Sequence, residues 1–138
     1  MILVLDASVV LKWFFREAAD EEDTSAALDL LSDIGQDRIQ LIQPPHFLAE
    51  VAAVLARKVP AGALDDLRDL QLLQFRTAAD ADLHQTAVEL ALRLDAHVFD
   101  TLYHATALHH PDAGFITADR RYYRKAKYLG GVQLLGQA

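Results

Sequence analysis

The sequence predicts an α/β fold, a parallel sheet covered by helices on both faces. Three observations carry this. The apolar runs Ile2–Leu5, Ile39–Ile42 and Gly114–Thr117 are too brief for core helices and suit buried strands. Longer stretches between them repeat their apolar residues at helical spacing. Strands and helices alternating in this way build a parallel sheet covered on both faces.

Taken in order, Ile2–Leu5 is β-branched at Ile2 and Val4 and stops at Asp6, with a helix expected from Ala7 to about Phe15. The acidic stretch Asp20–Asp23 suits the start of a second helix, because carboxylates favour the positive end of the helix dipole. Leu28, Leu31 and Ile34 supply its inner face, and Gly35 its C-terminal cap. After Ile39–Ile42, Pro44-Pro45 ends the strand and opens a helix from about His46 to Lys58. Pro60 begins another, reaching about Leu73. From about Asp80 to Leu94, the positions Leu83, Ala87, Leu90, Ala91 and Leu94 trace one helical face. A helix from Phe99 to His109 is stopped by Pro111. Gly114–Thr117 then leads into a helix from Asp119 to about Leu129, and Val132–Leu135 adds a last strand. No repeat, low-complexity tract or linker interrupts residues 1–138, so a single domain is expected.

The 138 residues suffice for one core, and the 52% apolar content agrees with a globular protein. The absence of cysteine removes disulfides, thiolate nucleophiles and Cys-ligated zinc, and fits a reducing cytoplasm. The N-terminus lacks the basic flank of a signal peptide, and no stretch approaches ~20 apolar residues. A soluble, cytoplasmic protein with no membrane association is expected. A net charge of −7 argues against a general polyanion binder. It does not say where the charges sit, and bound cations invert the field of an acidic site.

Four acids stand out by position. Asp6 ends the first strand and Asp119 follows the Phe-Ile-Thr strand by one residue. In an open parallel sheet, ligands bind beyond the carboxyl ends of strands, so both acids belong to one sheet edge. Each also begins a helix, where an aspartate is a common N-cap. Asp100 likewise stands at a helix start. Glu50 lies inside a helix read as apolar almost all round, where a lone carboxylate is costly without a cation. Crowded carboxylates repel unless cations neutralise them, and Mg²⁺ or Mn²⁺ suits all-oxygen ligands. Such a site activates water and steadies charge on a phosphoryl group being displaced.

The run Val4-Leu5-Asp6-Ala7-Ser8-Val9, the block from Pro44 to Val51, Phe99-Asp100-Thr101-Leu102-Tyr103-His104-Ala105 and Ile116-Thr117-Ala118-Asp119-Arg120-Arg121 resemble the successive motifs of PIN domains. The resemblance is nearest to the VapC-type toxins of prokaryotic toxin–antitoxin pairs and spans nearly the whole chain. It implies a Rossmann-like three-layer α/β/α fold around a short, mainly parallel central sheet, and a Mg²⁺- or Mn²⁺-dependent RNA endonuclease whose metal pocket is lined by Asp6, Glu50, Asp100 and Asp119. Ser8 and Thr117 match positions where the family places a supporting hydroxyl. The resemblance also implies a homodimer and a small VapB-like antitoxin that plugs the groove. Thr101, where the family usually has Ala, and His104, where it is commonly apolar, are departures that bear on packing.

Arg120-Arg121-Tyr122-Tyr123-Arg124-Lys125-Ala126-Lys127 gathers five of the thirteen basic residues directly after Asp119. Arg120, Arg121 and Arg124 are candidate RNA contacts, with a tyrosine stacking on a base; a solvated basic face near a helix C-terminus is the equal alternative. The six histidines show no metal-ligand spacing and read as structural or surface residues. Trp13-Phe14-Phe15 reads as core or as the border of a partner surface. Two other functions stay open: phosphoryl transfer through an aspartyl phosphate, for which Asp6-Ala7-Ser8 offers no second acid, and a degenerate PIN-like module that binds RNA or a protein without cleavage.

Overall fold

In the computed structural model, which describes residues 1–15 and 23–137, five parallel strands lie in the order β3-β2-β1-β4-β5. The strands are β1 (Ile2–Leu5), β2 (Gln40–Gln43), β3 (Phe75–Thr77), β4 (Ala113–Thr117) and β5 (Val132–Leu134). Helices α1 (Ala7–Val10), α2 (Thr24–Gly35), α3 (Phe47–Lys58), α4 (Ala63–Gln71), α5 (Leu83–Leu94), α6 (Val98–His109) and α7 (Arg120–Ala126) connect and cover them in three layers. Among the described residues, no helix is long and apolar enough to cross a membrane.

β1 is central because its residues Leu3, Val4 and Leu5 are buried and can be covered on both faces. Its ladder with β4 runs its full length, with Leu5 opposite Ile116. Its ladder with β2 pairs only Ile2 with Gln40 and Leu3 with Leu41. Beyond that point a side chain replaces the backbone. The Leu5 N–H donates to Gln43 Oε1 at 2.9 Å, and Gln43 Nε2 donates to the Leu5 carbonyl at 2.8 Å. Gln43 is wholly buried, so these two bonds satisfy groups that water cannot reach.

From β1 the chain builds outward through β2 and β3, then returns on the other side of β1 as β4 and β5. A crevice forms at such a reversal, beyond the carboxyl ends of the strands. Asp6 directly follows β1, and Asp119 stands two positions after β4.

Several elements differ from the sequence expectation. The helix after β1 is one short α-turn that tightens into a 3-10 turn over Leu11–Trp13, since Val9, Val10 and Trp13 all turn into the core. The Trp13 indole donates to the Ala27 carbonyl at 2.8 Å, and Phe14 and Phe15 pack on the same core, so this aromatic run belongs to the interior. α2 begins at Thr24; the expected start over Asp20–Asp23 lies outside the described residues except for Asp23. Gly35 remains within α2, and Asp37 takes the left-handed conformation (φ 59°) that ends it. The Arg38 N–H then returns to the Asp33 carbonyl at 2.9 Å, a helix stop usually given to glycine. α4 and α5 start three residues after Pro60 and Asp80. α7 stops at Ala126 and passes into a 3-10 turn over Lys127–Leu129. β3 was not expected at all.

Candidate active site

The two strand–helix junctions at the crevice are tied together by hydroxyls. Ser8 Oγ donates to Asp6 Oδ2 at 2.5 Å, and Thr117 Oγ1 donates to the same oxygen at 3.1 Å. Each hydroxyl also accepts a backbone N–H, Ser8 from Ala118 at 3.1 Å and Thr117 from Asp119 at 3.0 Å. With the Asp6 N–H on the Ile116 carbonyl at 3.0 Å, β1–α1 and β4–α7 are fastened at their tips. Ser8 and Thr117, singled out in the sequence for their hydroxyls, thus both bond Asp6.

Asp6 sits at the N-terminus of α1 but makes no side-chain cap bond. It is only 7% exposed. Burial, and then the charges of Asp100 and Glu50, push its carboxyl up to about 7, against the pull of the Ser8 and Thr117 hydroxyls. Asp100, on the first turn of α6, is also raised above the usual carboxylate range, by burial and then by Glu50 and Asp119. Charges far apart in the chain thus reach Asp6 and Asp100, from Glu50 in both cases and from Asp119 in the second.

α3 is not buried all round, contrary to the sequence reading. Phe47, Val51 and Leu55 face the core, while Ala49, Ala53 and Ala56 are exposed; small apolar residues tolerate water. Glu50 lies at the margin, and protein groups hold it. Tyr103 donates its hydroxyl to Glu50 Oε1 at 3.0 Å, and His46 Nε2 stands 3.6 Å from Oε2. His46 also meets the Phe99 carbonyl at 2.8 Å through the same nitrogen, which must therefore carry a proton. Tyr103 is wholly buried, and burial followed by the Glu50 charge keeps its phenol un-ionised.

Asp119 both faces the crevice and caps α7, its Oδ1 accepting the Tyr122 N–H at 3.0 Å. It shares with Asp100 a cleft of about 220 Å³ that Arg121, Lys125, His97 and Tyr122 also line. Of the three arginines singled out in the sequence, Arg121 reaches this cleft. Arg120 lies 3.9 Å from Asp23, and Arg124 is exposed. Lys125 is held by its Nζ donating to the Asp95 carbonyl at 2.6 Å.

The two family departures have structural work. Thr101, wholly buried, donates to the Ala87 carbonyl at 2.7 Å and locks α6 to α5. His104 bridges the Tyr122 hydroxyl at 2.9 Å and the Gly130 carbonyl at 3.0 Å, and burial lowers its basicity. Thr101 thus fixes α6, which carries Asp100, and His104 ties α6 to α7, which Asp119 caps. Sequence reasoning missed His46, Phe99 and Tyr103 as parts of this site. The one available signal was their place inside the motif blocks around Glu50 and Asp100.

Among the described residues, no set of three or more histidine, aspartate or glutamate side chains is already arranged to hold a metal ion. The donor chemistry still fits one. Every group is a hard oxygen donor, and Asp6 is raised first by burial and then by its carboxylate neighbours, with only hydroxyls opposing them. Such a site suits a divalent cation that keeps several of its own waters rather than one enclosed by protein.

Residues 3–128 match the family model described as the PIN domain. No curated protein matches significantly. The fold is similar to that of VapC20 from Mycobacterium tuberculosis, described as a sarcin-ricin loop cleaving toxin. The TM-score is 0.65 at 17% identity, covering 90% of this chain and 95% of that one. It is equally similar to VapBC2 from Rickettsia felis bound to a DNA fragment from their promoter, with a TM-score of 0.65 at 18% identity and 97% of each chain covered. At such identities the likeness is one of fold. The match over almost the whole sequence shows that the chain belongs to the PIN-domain family.

Proposed function

We propose that this chain is a Mg²⁺- or Mn²⁺-dependent endoribonuclease and the toxin member of a VapBC-type toxin–antitoxin pair. The observation that carries the reading is the electrostatic one. At the carboxyl edge of the sheet, burial and then the charges of Asp100 and Glu50 raise Asp6, and burial and then the charges of Glu50 and Asp119 raise Asp100. Two structural neighbours support it by analogy of fold, one described as a sarcin-ricin loop cleaving toxin and the other as VapBC2.

Asp6, Asp100 and Asp119 would hold the metal, with Glu50 as a further ligand or as the group that orients the attacking water. When bound, the ion lowers the pKa of water and offsets the charge that grows on the phosphoryl oxygens. Ser8 and Thr117 keep Asp6 in one rotamer by taking the same oxygen, Oδ2, which leaves Oδ1 for another partner. Tyr103 and His46 hold Glu50 differently, one at each oxygen, with the Tyr103 hydroxyl on Oε1 and His46 Nε2 beside Oε2. Arg121 and Lys125, in the cleft beside Asp100 and Asp119, bring positive charge to the RNA backbone. Attack is in line, with no covalent enzyme intermediate.

The reading carries a small VapB-like antitoxin, a homodimer and a cytoplasmic location, as the family resemblance implies. The test compares cleavage of RNA by the wild type and by Asp6→Asn, with Mg²⁺, with Mn²⁺ and with chelator. Metal-dependent cutting by the wild type alone is expected. Equal cutting by both proteins would sink the assignment. RNA binding without any metal-dependent cutting would instead favour the non-cleaving module.

A further inference from the structure

Phe99 is 63% exposed, yet it immediately precedes Asp100 on the first turn of α6. A lone exposed apolar side chain is ordinary. This one is unusual in being held. Its ring stacks on His46, with centroids 5.3 Å apart and planes 24° from parallel. The Phe99 carbonyl accepts from the same imidazole at 2.8 Å. His46 is fixed in turn by its edge-on contact with Tyr103 at 4.8 Å, and Tyr103 hydrogen-bonds Glu50. One face of the phenyl ring is thus backed by an aromatic partner, and the ring is fixed in orientation beside two of the four acids.

We propose that Phe99, backed by His46, is a stacking platform for one unpaired nucleobase of the RNA, next to the phosphate presented to Asp100. The inference rests on the nuclease reading and adds to it a substrate-positioning residue. A pre-oriented flat ring loses little entropy when a base stacks on it, and every base offers a π-face. Single-stranded or looped RNA is therefore the substrate form, because a base inside a duplex has no free face. A protein helix fits this place less well. It would seek an apolar groove, whereas Asp95, His97 and Asp100 surround Phe99 in the sequence and line the adjoining polar cleft.

The experiment measures binding in chelator, so that it is independent of cleavage. The probe is a short single-stranded oligoribonucleotide of a sequence the wild type cuts, or of mixed sequence if none is cut. A single abasic position is walked along it. Phe99→Ala is expected to weaken binding roughly 5- to 100-fold, and Phe99→Trp to preserve it with quenching of the new indole by the base. One abasic position should reproduce the loss in the wild type and add nothing to it in Phe99→Ala. The ring is exposed, so thermal melts of both variants should match the wild type.

Unchanged affinity of Phe99→Ala overturns the platform and leaves the nuclease reading intact. So does an abasic penalty that is equal in wild type and variant at every position. If the wild type binds normally but never cuts, the nuclease reading fails and the platform survives. No RNA binding by the wild type overturns the platform, and the cleavage test with Mg²⁺ or Mn²⁺ then decides the nuclease reading.

Discussion

Two junctions of this molecule look alike in sequence and differ in what their aspartates do. β1 runs into α1 through Asp6, and β4 runs into α7 through Asp119. Asp119 caps its helix, taking the Tyr122 N–H at 3.0 Å, and remains partly open to the cleft. Asp6 caps nothing; two hydroxyls hold it, and the surrounding protein covers it. The capping acid does something useful to the fold by itself. The buried one is a cost to the metal-free fold, because its charge is desolvated and repelled by Asp100 and Glu50. Carrying such a cost makes sense for a group kept for a cation.

The largest expected effect separates the two by charge. Folding raises the Asp6 carboxyl from 3.8 to about 7. The metal-free native state then holds a proton that the unfolded chain has lost, so this group makes stability fall as pH rises between those values. Asp6→Asn should abolish metal-dependent cleavage yet stabilise the metal-free protein at pH 8, by as much as about 4 kcal/mol. The gain should shrink as pH falls from about 7 and vanish near pH 4, read as urea midpoints in chelator. Added Mn²⁺ should raise the melting temperature of the wild type more than that of the variant. A variant less stable than the wild type at pH 8 would contradict this account of Asp6.

A smaller effect tests whether the junctions act as one. Thr117→Val removes a donor from Asp6 and leaves the Asp119 N–H without its acceptor. A loss of about 1–3 kcal/mol is expected, with metal affinity falling roughly 10- to 100-fold by calorimetric titration. Neutrality in both measurements would mean that the two tips are held independently.

The smallest effect belongs to the cap. Asp119→Ala should destabilise the metal-free protein by about 1 kcal/mol, and Asp119→Asn by only a few tenths, since Asn caps as well as Asp. Thermal melts in chelator would show it. Equal losses from both substitutions would place Asp119's contribution to folding outside the cap.

The sequence made the scaffold readable wherever a strong local pattern existed. Ile2–Leu5, the face of α5 through Leu83, Ala87, Leu90 and Leu94, and the breaks at Pro44 and Pro111 all stand as read. β3 escaped because Phe75-Arg76-Thr77 is three residues long and largely exposed, and its extended form comes from pairing with β2. Glu50 was noticed for an apolar context that the fold does not fully provide, as the alanines of α3 face water. His46, Phe99 and Tyr103 were invisible as a group. Each pairing joins α6 to the start of α3 across 53 positions in the chain, and no local period marks such contacts. Asp6 and Asp119 were indistinguishable for the same reason, since what separates them is Thr117 and its distant hydrogen bond.

Gln43 bears on how the chain finds its alignment. Its amide answers both polar groups of Leu5, a demand that only a side chain with a donor and an acceptor can meet. Shifting β2 by one step would bring Ile42 or Pro44 to that place, and neither can reply. With only two residue pairs joining β1 and β2, the glutamine acts as a key that turns in a single lock, rejecting misaligned assembly on the flank where the ladder is shortest.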